Sequence, residues 1–340
     1  MAGQVKRTGL HKDFPGIAVN MSLNKQKIRI GITLGDPSGI GPEIAARAVR
    51  ALAGKAEFIL IGDRRVFDRV RGPWSMVHGP EFVDLRNVSP KNFRYGIARA
   101  EYGRASIEYL DQAMKMLKRG WIDALATCPI CKESVKKAGF SYSGHTEYLA
   151  RRTGAKNTVM LLLNKHLKFA LVTRHIPLKK VSDRISKHSL SRTIELAYRG
   201  LKEMFAVKRP RLLVCGLNPH ASDNGVIGEE ENRLIKPVIR SLRSKGLFLE
   251  GPLPADTAIC LGLKRLYDCL IALYHDQALI PLKITGSSSG VNLTLGLGFV
   301  RSSPLHGVAF DIAGKGRADP SSMIESIKLA IKCSQNLKKA

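Results

Sequence analysis

Ile28-Arg29-Ile30-Gly31-Ile32-Thr33-Leu34 runs directly into Gly35-Asp36-Pro37-Ser38-Gly39-Ile40-Gly41-Pro42. The first stretch is short and apolar, as a buried strand is. The second is a glycine-rich turn placed ahead of a helix. The alternation recurs downstream. Residues 57–62, 121–127, 159–163, 167–173, 211–217 and 268–274 read as further buried strands. Helical periodicity separates some of them. Ile107, Leu110, Met114 and Leu117 share one face, and Gly120 is the expected C-cap. Ile194, Ala197, Leu201, Met204 and Phe205 do the same after the cap candidates Ser189 and Ser191. Strands alternating with amphipathic stretches predict an α/β fold with a largely parallel sheet.

The first turn resembles a nucleotide-binding turn without being G-x-G-x-x-G, because Ile44 stands three residues past Gly41. A lone G-x-G is weak evidence for a dinucleotide site.

The chain has 340 residues, enough for two lobes around a sizeable core. Hydrophobic residues are 44% and charged residues 24%, as in ordinary globular proteins. No run approaches the roughly eighteen apolar residues of a spanning helix, which excludes an integral membrane protein. Six cysteines are too few for a disulfide scaffold, and no signal-peptide pattern opens the chain, so a cytoplasmic location is expected. Residues 1–26 read as a disordered extension.

The formal charge is +27, spread along the chain; residues 165–211 alone carry thirteen Lys/Arg against three Asp/Glu. Nucleic-acid binding is one reading. Aromatics are only 6%, and no helix-turn-helix, zinc-finger or RNP-like signature is present. Solvated basic faces that attract an anionic substrate are the favoured reading.

The histidines are more informative. His175 comes two residues after a predicted strand, His220 three after another, and His275 directly after a third. Ligands in open α/β sheets bind outside the carboxyl ends of strands. Three imidazoles with an open position suit Zn²⁺ or a similar divalent ion, although spacing alone does not show that these strands are neighbours. His145 sits in Ser143-Gly144-His145-Thr146-Glu147, at the start of a helical pattern. Free N–H groups there favour an anion such as phosphate, with His145 and Thr146 adding donors; simple capping is the alternative. Cys128-Pro129-Ile130-Cys131 is a lone C-x-x-C, and with no second pair redox chemistry is not favoured. Residues 286–290 form a Ser/Gly loop able to close over a ligand.

Seven motifs in register then carry a resemblance. They are Gly35-Asp36-Pro37-Ser38-Gly39-Ile40-Gly41-Pro42-Glu43, Gly144-His145-Thr146-Glu147, Thr173-Arg174-His175-Ile176-Pro177-Leu178, Gly216-Leu217-Asn218-Pro219-His220-Ala221, Gly251-Pro252-Leu253-Pro254-Ala255-Asp256-Thr257, Tyr274-His275-Asp276-Gln277 and Val291-Asn292-Leu293-Thr294-Leu295-Gly296-Leu297. Together, from residue 28 to 337, they resemble the 4-hydroxythreonine-4-phosphate dehydrogenase family of pyridoxal phosphate biosynthesis.

The resemblance implies a two-lobed α/β/α fold like that of isocitrate and isopropylmalate dehydrogenases. Residues 27–140 with 290–337 would form one lobe and 141–289 the other. It implies a homodimer with its active site at the subunit interface, and NAD or NADP used without the usual fingerprint. His175, His220 and His275 would bind a divalent metal (Zn, Mg or Co). His145 and Thr146 would hold the substrate phosphate. Lys283, Asn292 and Arg301 would contact the substrate, and Asp256 would line the same site. Oxidation of the C3 hydroxyl of 4-phosphohydroxy-L-threonine would give a β-keto acid that decarboxylates to 3-amino-2-oxopropyl phosphate, with Lys283, or its rival Asp256, moving the proton.

Some positions depart from the family pattern. Ser222-Asp223-Asn224-Gly225 replaces a Gly-Glu-Gly-Gly-like turn, and Leu305-His306-Gly307-Val308 replaces Asp-His-Gly-Thr. These changes bear on substrate and cofactor choice more than on reaction class. A sister enzyme acting on 4-phospho-D-erythronate or 4-phospho-D-threonate is the first rival. A dihydrodiol dehydrogenase and a non-catalytic nucleic-acid-binding protein are more remote ones.

Overall fold

The computed structural model describes residues 27–70, 79–142 and 144–339; the extension read at residues 1–26 lies outside them. Among the described residues eleven strands form one sheet: β1 (Arg29–Thr33), β2 (Glu57–Gly62), β3 (Glu81–Asp84), β4 (Ala124–Thr127), β5 (Val159–Leu163), β6 (Lys168–Leu171), β7 (Arg211–Cys215), β8 (Phe248–Leu253), β9 (Cys269–Ala272), β10 (Val291–Leu295) and β11 (Val300–Pro304). Their spatial order is β3-β2-β1-β4-β11-β10-β5-β6-β9-β7-β8.

Two parallel blocks make up most of the sheet. β3, β2, β1, β4 and β11 run one way. β6, β9, β7 and β8 run together in the second block. Between them β10 pairs antiparallel with both β11 and β5, and β5 antiparallel with β6. The expected largely parallel α/β sheet is present, with an antiparallel seam through its middle.

Side chains alternate across the second block. Leu212, Val214 and Ile271 join the main core on one face. Phe169, Leu171, Leu213, Cys215, Leu270 and Ala272 face the other way. There they pack under the helices Ala255–Leu263 and His275–Gly286, through Ala258, Ala278 and Leu282. Leu190, Ile194, Ala197 and Leu201 of the helix Lys187–Glu203 cover the first face. Helices thus lie on both sides of the sheet, an α/β/α sandwich. Among the described residues no helix is long and apolar enough to cross a membrane.

Local details agree with the sequence in most places. The helix Ala100–Lys118 ends at Arg119, and Gly120 follows at φ +68°. One cap differs: the helix Lys187–Glu203 is capped by Ser186, not Ser189 or Ser191. Ser186 Oγ accepts from Ser189 N at 3.0 Å, while Ser189 Oγ accepts from Ser186 N at 2.9 Å. Ser189 thus plays the part usually taken by Glu in a reciprocal capping box, and the helix begins a turn earlier than expected. Cys131 caps the helix Lys132–Lys137 through its sulfur, and all six cysteines are free.

The first turn is dictated by crowding. Gly35 has φ +71°, and a Cβ there would lie 2.2 Å from Pro129 O; a Cβ on Gly41 would lie 2.1 Å from Leu34 O. Only glycine fits either position. Val308 O accepts from Ile40 N at 3.0 Å, so the departing segment Leu305–Val308 lies directly on this turn.

Candidate active site

The site is built where β6, β9 and β7 end. Past the last residue of β6 the ladder continues: Val172 N donates to Ala272 O at 2.9 Å, and Thr173 Oγ1 to Leu273 O at 2.6 Å. This clamp keeps the two chain exits side by side. It brings His175 and His275 together, with ring centroids 5.4 Å apart at 50°. His275 Nδ1 lies 2.7 Å from Asp276 Oδ1, which leaves Nε2 as the nitrogen able to bind a ligand. Burial lowers the pKa of His175, and the positive charges of Lys132 and a protonated His275 add to the effect. The neutral imidazole, the metal-binding form, is therefore favoured.

His220 is presented differently. Residues 220–224 all lie in the left-handed region, with φ between 43° and 68°, ahead of Gly225 at φ +105°. Left-handed backbone costs about 1–2 kcal/mol per non-glycine residue, so a run of five needs support. Asn232 Nδ2 donates to Asn224 O at 3.0 Å within the run, and the fully buried Glu231 anchors the chain just ahead of it. Its carboxylate accepts from Leu217 N and Asn218 N at 2.8 Å each and from Asn218 Nδ2 at 2.9 Å. Gln277 links this turn to the His275 turn. Its Oε1 accepts from Leu273 N at 2.7 Å, and its Nε2 donates to Gly216 O at 2.8 Å.

Among the described residues, no three His, Cys, Asp or Glu side chains stand close enough to hold a metal ion. The structure pairs His175 with His275 and does not complete a triad with His220. The pair itself, two imidazoles with a carboxylate behind one of them, is a donor set that suits a borderline divalent ion.

A second group surrounds Arg301 on β11. Its guanidinium is buried, 2% exposed, and forms no ion pair among the described residues. Nη1 donates to Thr294 Oγ1 at 3.1 Å and Nη2 to Thr127 Oγ1 at 2.6 Å, while Nε has no partner among the described residues. Burial pushes its pKa down to about 10, and the Glu147 carboxylate works in the opposite direction; the group remains a cation at neutral pH. His145 opens the helix His145–Thr153, and its buried Nε2 has no partner among the described residues. Burial and the Arg301 charge hold this imidazole well below the usual histidine range. Thr146 is buried beside it in sequence. Asn292 sits on β10 two residues from Thr294, on the same face, with its Oδ1 buried and unpartnered. A buried cation with an unpaired Nε–H, beside polar atoms without partners on His145 and Asn292, is costly unless a ligand satisfies it. They make this a place for an anion.

Lys283 and Asp256 are exposed on their helices, and neither forms a hydrogen bond or ion pair with another described residue. The structure does not draw them into either group. Conversely, the sequence reading passed over Thr127, Thr294, Glu231 and Gln277. Gln277 and Thr294 stand inside motifs quoted above; nothing local marks Thr127 or Glu231.

Comparison with known proteins bears on this arrangement. Residues 44–330 match the family described as "Pyridoxal phosphate biosynthetic protein PdxA". A 4-hydroxythreonine-4-phosphate dehydrogenase of Sulfurihydrogenibium sp. is 41% identical over 316 residues, covering 89% of this chain and 98% of that one. A D-threonate 4-phosphate dehydrogenase of Pectobacterium atrosepticum is 36% identical, with 89% and 98% covered. The crystal structure of 4-hydroxythreonine-4-phosphate dehydrogenase from Klebsiella pneumoniae superposes with a TM-score of 0.82 at 34% identity, covering 91% of this chain and all of that one.

Proposed function

This chain belongs to the pyridoxal phosphate biosynthetic protein PdxA family, and from that premise we propose that it is a metal-dependent, NAD(P)-linked 4-hydroxythreonine-4-phosphate dehydrogenase. The substrate is 4-phosphohydroxy-L-threonine. The C3 hydroxyl would lose its proton and the C3 carbon its hydride, the hydride reducing NAD⁺ or NADP⁺. The resulting β-keto acid loses CO₂ to give 3-amino-2-oxopropyl phosphate.

The observation that carries this reading is the buried Arg301, which forms no ion pair among the described residues, near the His145 Nε2 that has no partner among them. His145 and Thr146 hold the phosphate, and Arg301 and Asn292 orient the substrate's anionic groups. Arg301 is pre-set by its two threonines and needs no rearrangement to act as a donor. His175 and His275 would hold the divalent ion, with His220 joining them only if its turn moves toward the pair, and the ion would lower the pKa of the C3 hydroxyl. Asp276 orients His275, and Glu231 sets the turn that presents His220. Lys283, with Asp256 as its rival, would move the hydroxyl proton, although both stand exposed on their helices.

Residues 27–140 with 290–337 and residues 141–289 act as two lobes. Two copies pair as a homodimer; the exposed Ile280 and Ile284 on the helix that His275 opens, 57% and 79% exposed, favour that helix as part of the contact. The enzyme works in the cytoplasm.

The likeness to the Pectobacterium enzyme favours a second reading, oxidation of 4-phospho-D-threonate or 4-phospho-D-erythronate. NADH formation from each substrate, with and without divalent metal restored after chelation, decides between them. Metal-dependent turnover of 4-phosphohydroxy-L-threonine alone supports the first reading. Turnover of the sugar-acid phosphates alone overturns it. Turnover of neither removes both.

A further inference from the structure

The amino ends of β6, β9 and β7 lie together, because these strands are parallel and adjacent. A cavity of about 250 Å³ opens there, lined by Lys165, His166, Lys168, Arg265, Tyr267 and Asp268 among others. Lys165 and Arg265 line it with the Asp268 carboxylate, while the Lys168 ammonium lies over the Phe205 ring, 5.7 Å from its centroid. Asp268 is already engaged, its Oδ2 accepting from Arg211 N at 2.8 Å.

The walls are held in place. Asn164 Oδ1 accepts from His166 N at 2.8 Å and Leu167 N at 2.9 Å, fixing the β5–β6 turn that carries Lys165 and His166. Arg265 ends the helix Ala255–Leu263 in a Schellman pattern: Arg265 N donates to Gly262 O and Leu266 N to Leu261 O. Its φ is +59°. At the corresponding place after three other helices this chain has glycine: Gly120, Gly139 and Gly246. An arginine there accepts backbone strain that glycine avoids. The gain is a guanidinium on the cavity wall.

We propose that this cavity is a second anion site, taking a compact ligand with at least two negative charges, such as a phosphate monoester or pyrophosphate. Lys165 and Arg265 outnumber the one carboxylate, whose Oδ2 is taken by the Arg211 N–H, and arginine supplies planar bidentate donors to a phosphate. The proposal does not depend on the reaction assigned above. The site lies at the opposite ends of the strands that carry His175 and His275, about 15 Å away at about 3.3 Å per strand residue.

The probe is pyrophosphate, titrated calorimetrically at about 150 mM salt, where exposed charges are screened beyond roughly 8 Å. Two saturable sites per chain are expected, one in the Arg301 pocket and one here. Arg265→Gly is the decisive variant, because glycine suits the left-handed position and the fold is not endangered. It should weaken one site at least about tenfold, a loss of about 1.4 kcal/mol, with an unchanged melting temperature or a higher one. Lys165→Ser should weaken the same site and leave dehydrogenase turnover intact. Three outcomes overturn the proposal. One is a single site that Arg265→Gly leaves untouched. Another is weakening in Arg265→Gly and Lys165→Ser no greater than in a control that removes Lys91, outside the cavity. The third is binding of a nucleic-acid duplex that neither variant weakens, which assigns the charge to a broad surface instead.

Discussion

At their carboxyl ends β6, β9 and β7 lead to His175, His275 and the left-handed turn of His220; at their amino ends the same strands start from Lys165–His166, Arg265 and Arg211. The backbone is the same kind of parallel ladder throughout. The difference lies in how the polar groups are tied. At the carboxyl ends, buried Gln277, Glu231 and Thr173 hold one turn to the next through several hydrogen bonds. At the amino ends, long side chains project from short turns, and Arg211 stacks between the rings of Phe248 and Tyr267 at 5.3 and 5.5 Å. One end is pre-organised for placing groups within tenths of an ångström. The other is arranged for charge. A buried donor is worth more per group than an exposed one, so the first end should be the more sensitive to substitution.

The largest effect is expected at the buried cation beside that pre-organised end. Arg301→Met should lower kcat/KM by about 10²–10³-fold. Because it removes an unpaired buried charge, thermal stability should hold or rise. A variant that loses activity and stability together would show instead that Arg301 holds the fold.

Next comes Glu231→Gln. The amide offers one acceptor where the carboxylate offered two, and turns a donor toward Asn218. We expect a loss of about 1–3 kcal/mol in urea unfolding. Metal affinity, read by competition with a chelating dye, should fall about 10–100-fold. Unchanged metal affinity with reduced stability would make Glu231 structural only.

A pH series tests the buried imidazole. His145 and His175 are both held below the usual histidine range, so between the folded and unfolded pKa values the unfolded chain binds more protons. Their contribution to stability is complete above about pH 6.5 and is lost as pH falls through the folded values. The urea midpoint of wild type should therefore fall below about pH 6.5, and that of His145→Gln should fall less. Parallel curves would place the burden on other groups.

The smallest effect is expected at the amino ends. Arg265→Gly should raise stability by about 0.5–1 kcal/mol and leave turnover unchanged, in contrast to every substitution above.

Much of this was legible in the chain itself. Strands rich in Ile, Leu, Val and Ala announce burial on both faces, and β2 and β5 have the bounds their apolar runs suggest. The four strands not foreseen have reasons. β3 is a four-residue edge strand bounded by Glu81 and Asp84. β8 contains Gly251-Pro252 and a register shift against β7. β10 and β11 are buried yet carry Asn292, Thr294, Arg301, Ser302 and Ser303. Buried polar residues do not look like a strand until their partners are known.

The sequence by itself determined the alternation of strand and helix, the histidines at strand ends and the helix start at His145. These follow from periodicity and backbone chemistry acting over a few residues. Only the tertiary structure decided that β9 lies between β6 and β7, that His175 meets His275 while His220 remains outside their pair, and that Thr127 holds Arg301 from 174 residues away. It also gathered Lys165 and Arg265 around one cavity. Those outcomes depend on which strands pair across long loops, and pairing is settled by burying the whole sheet at once.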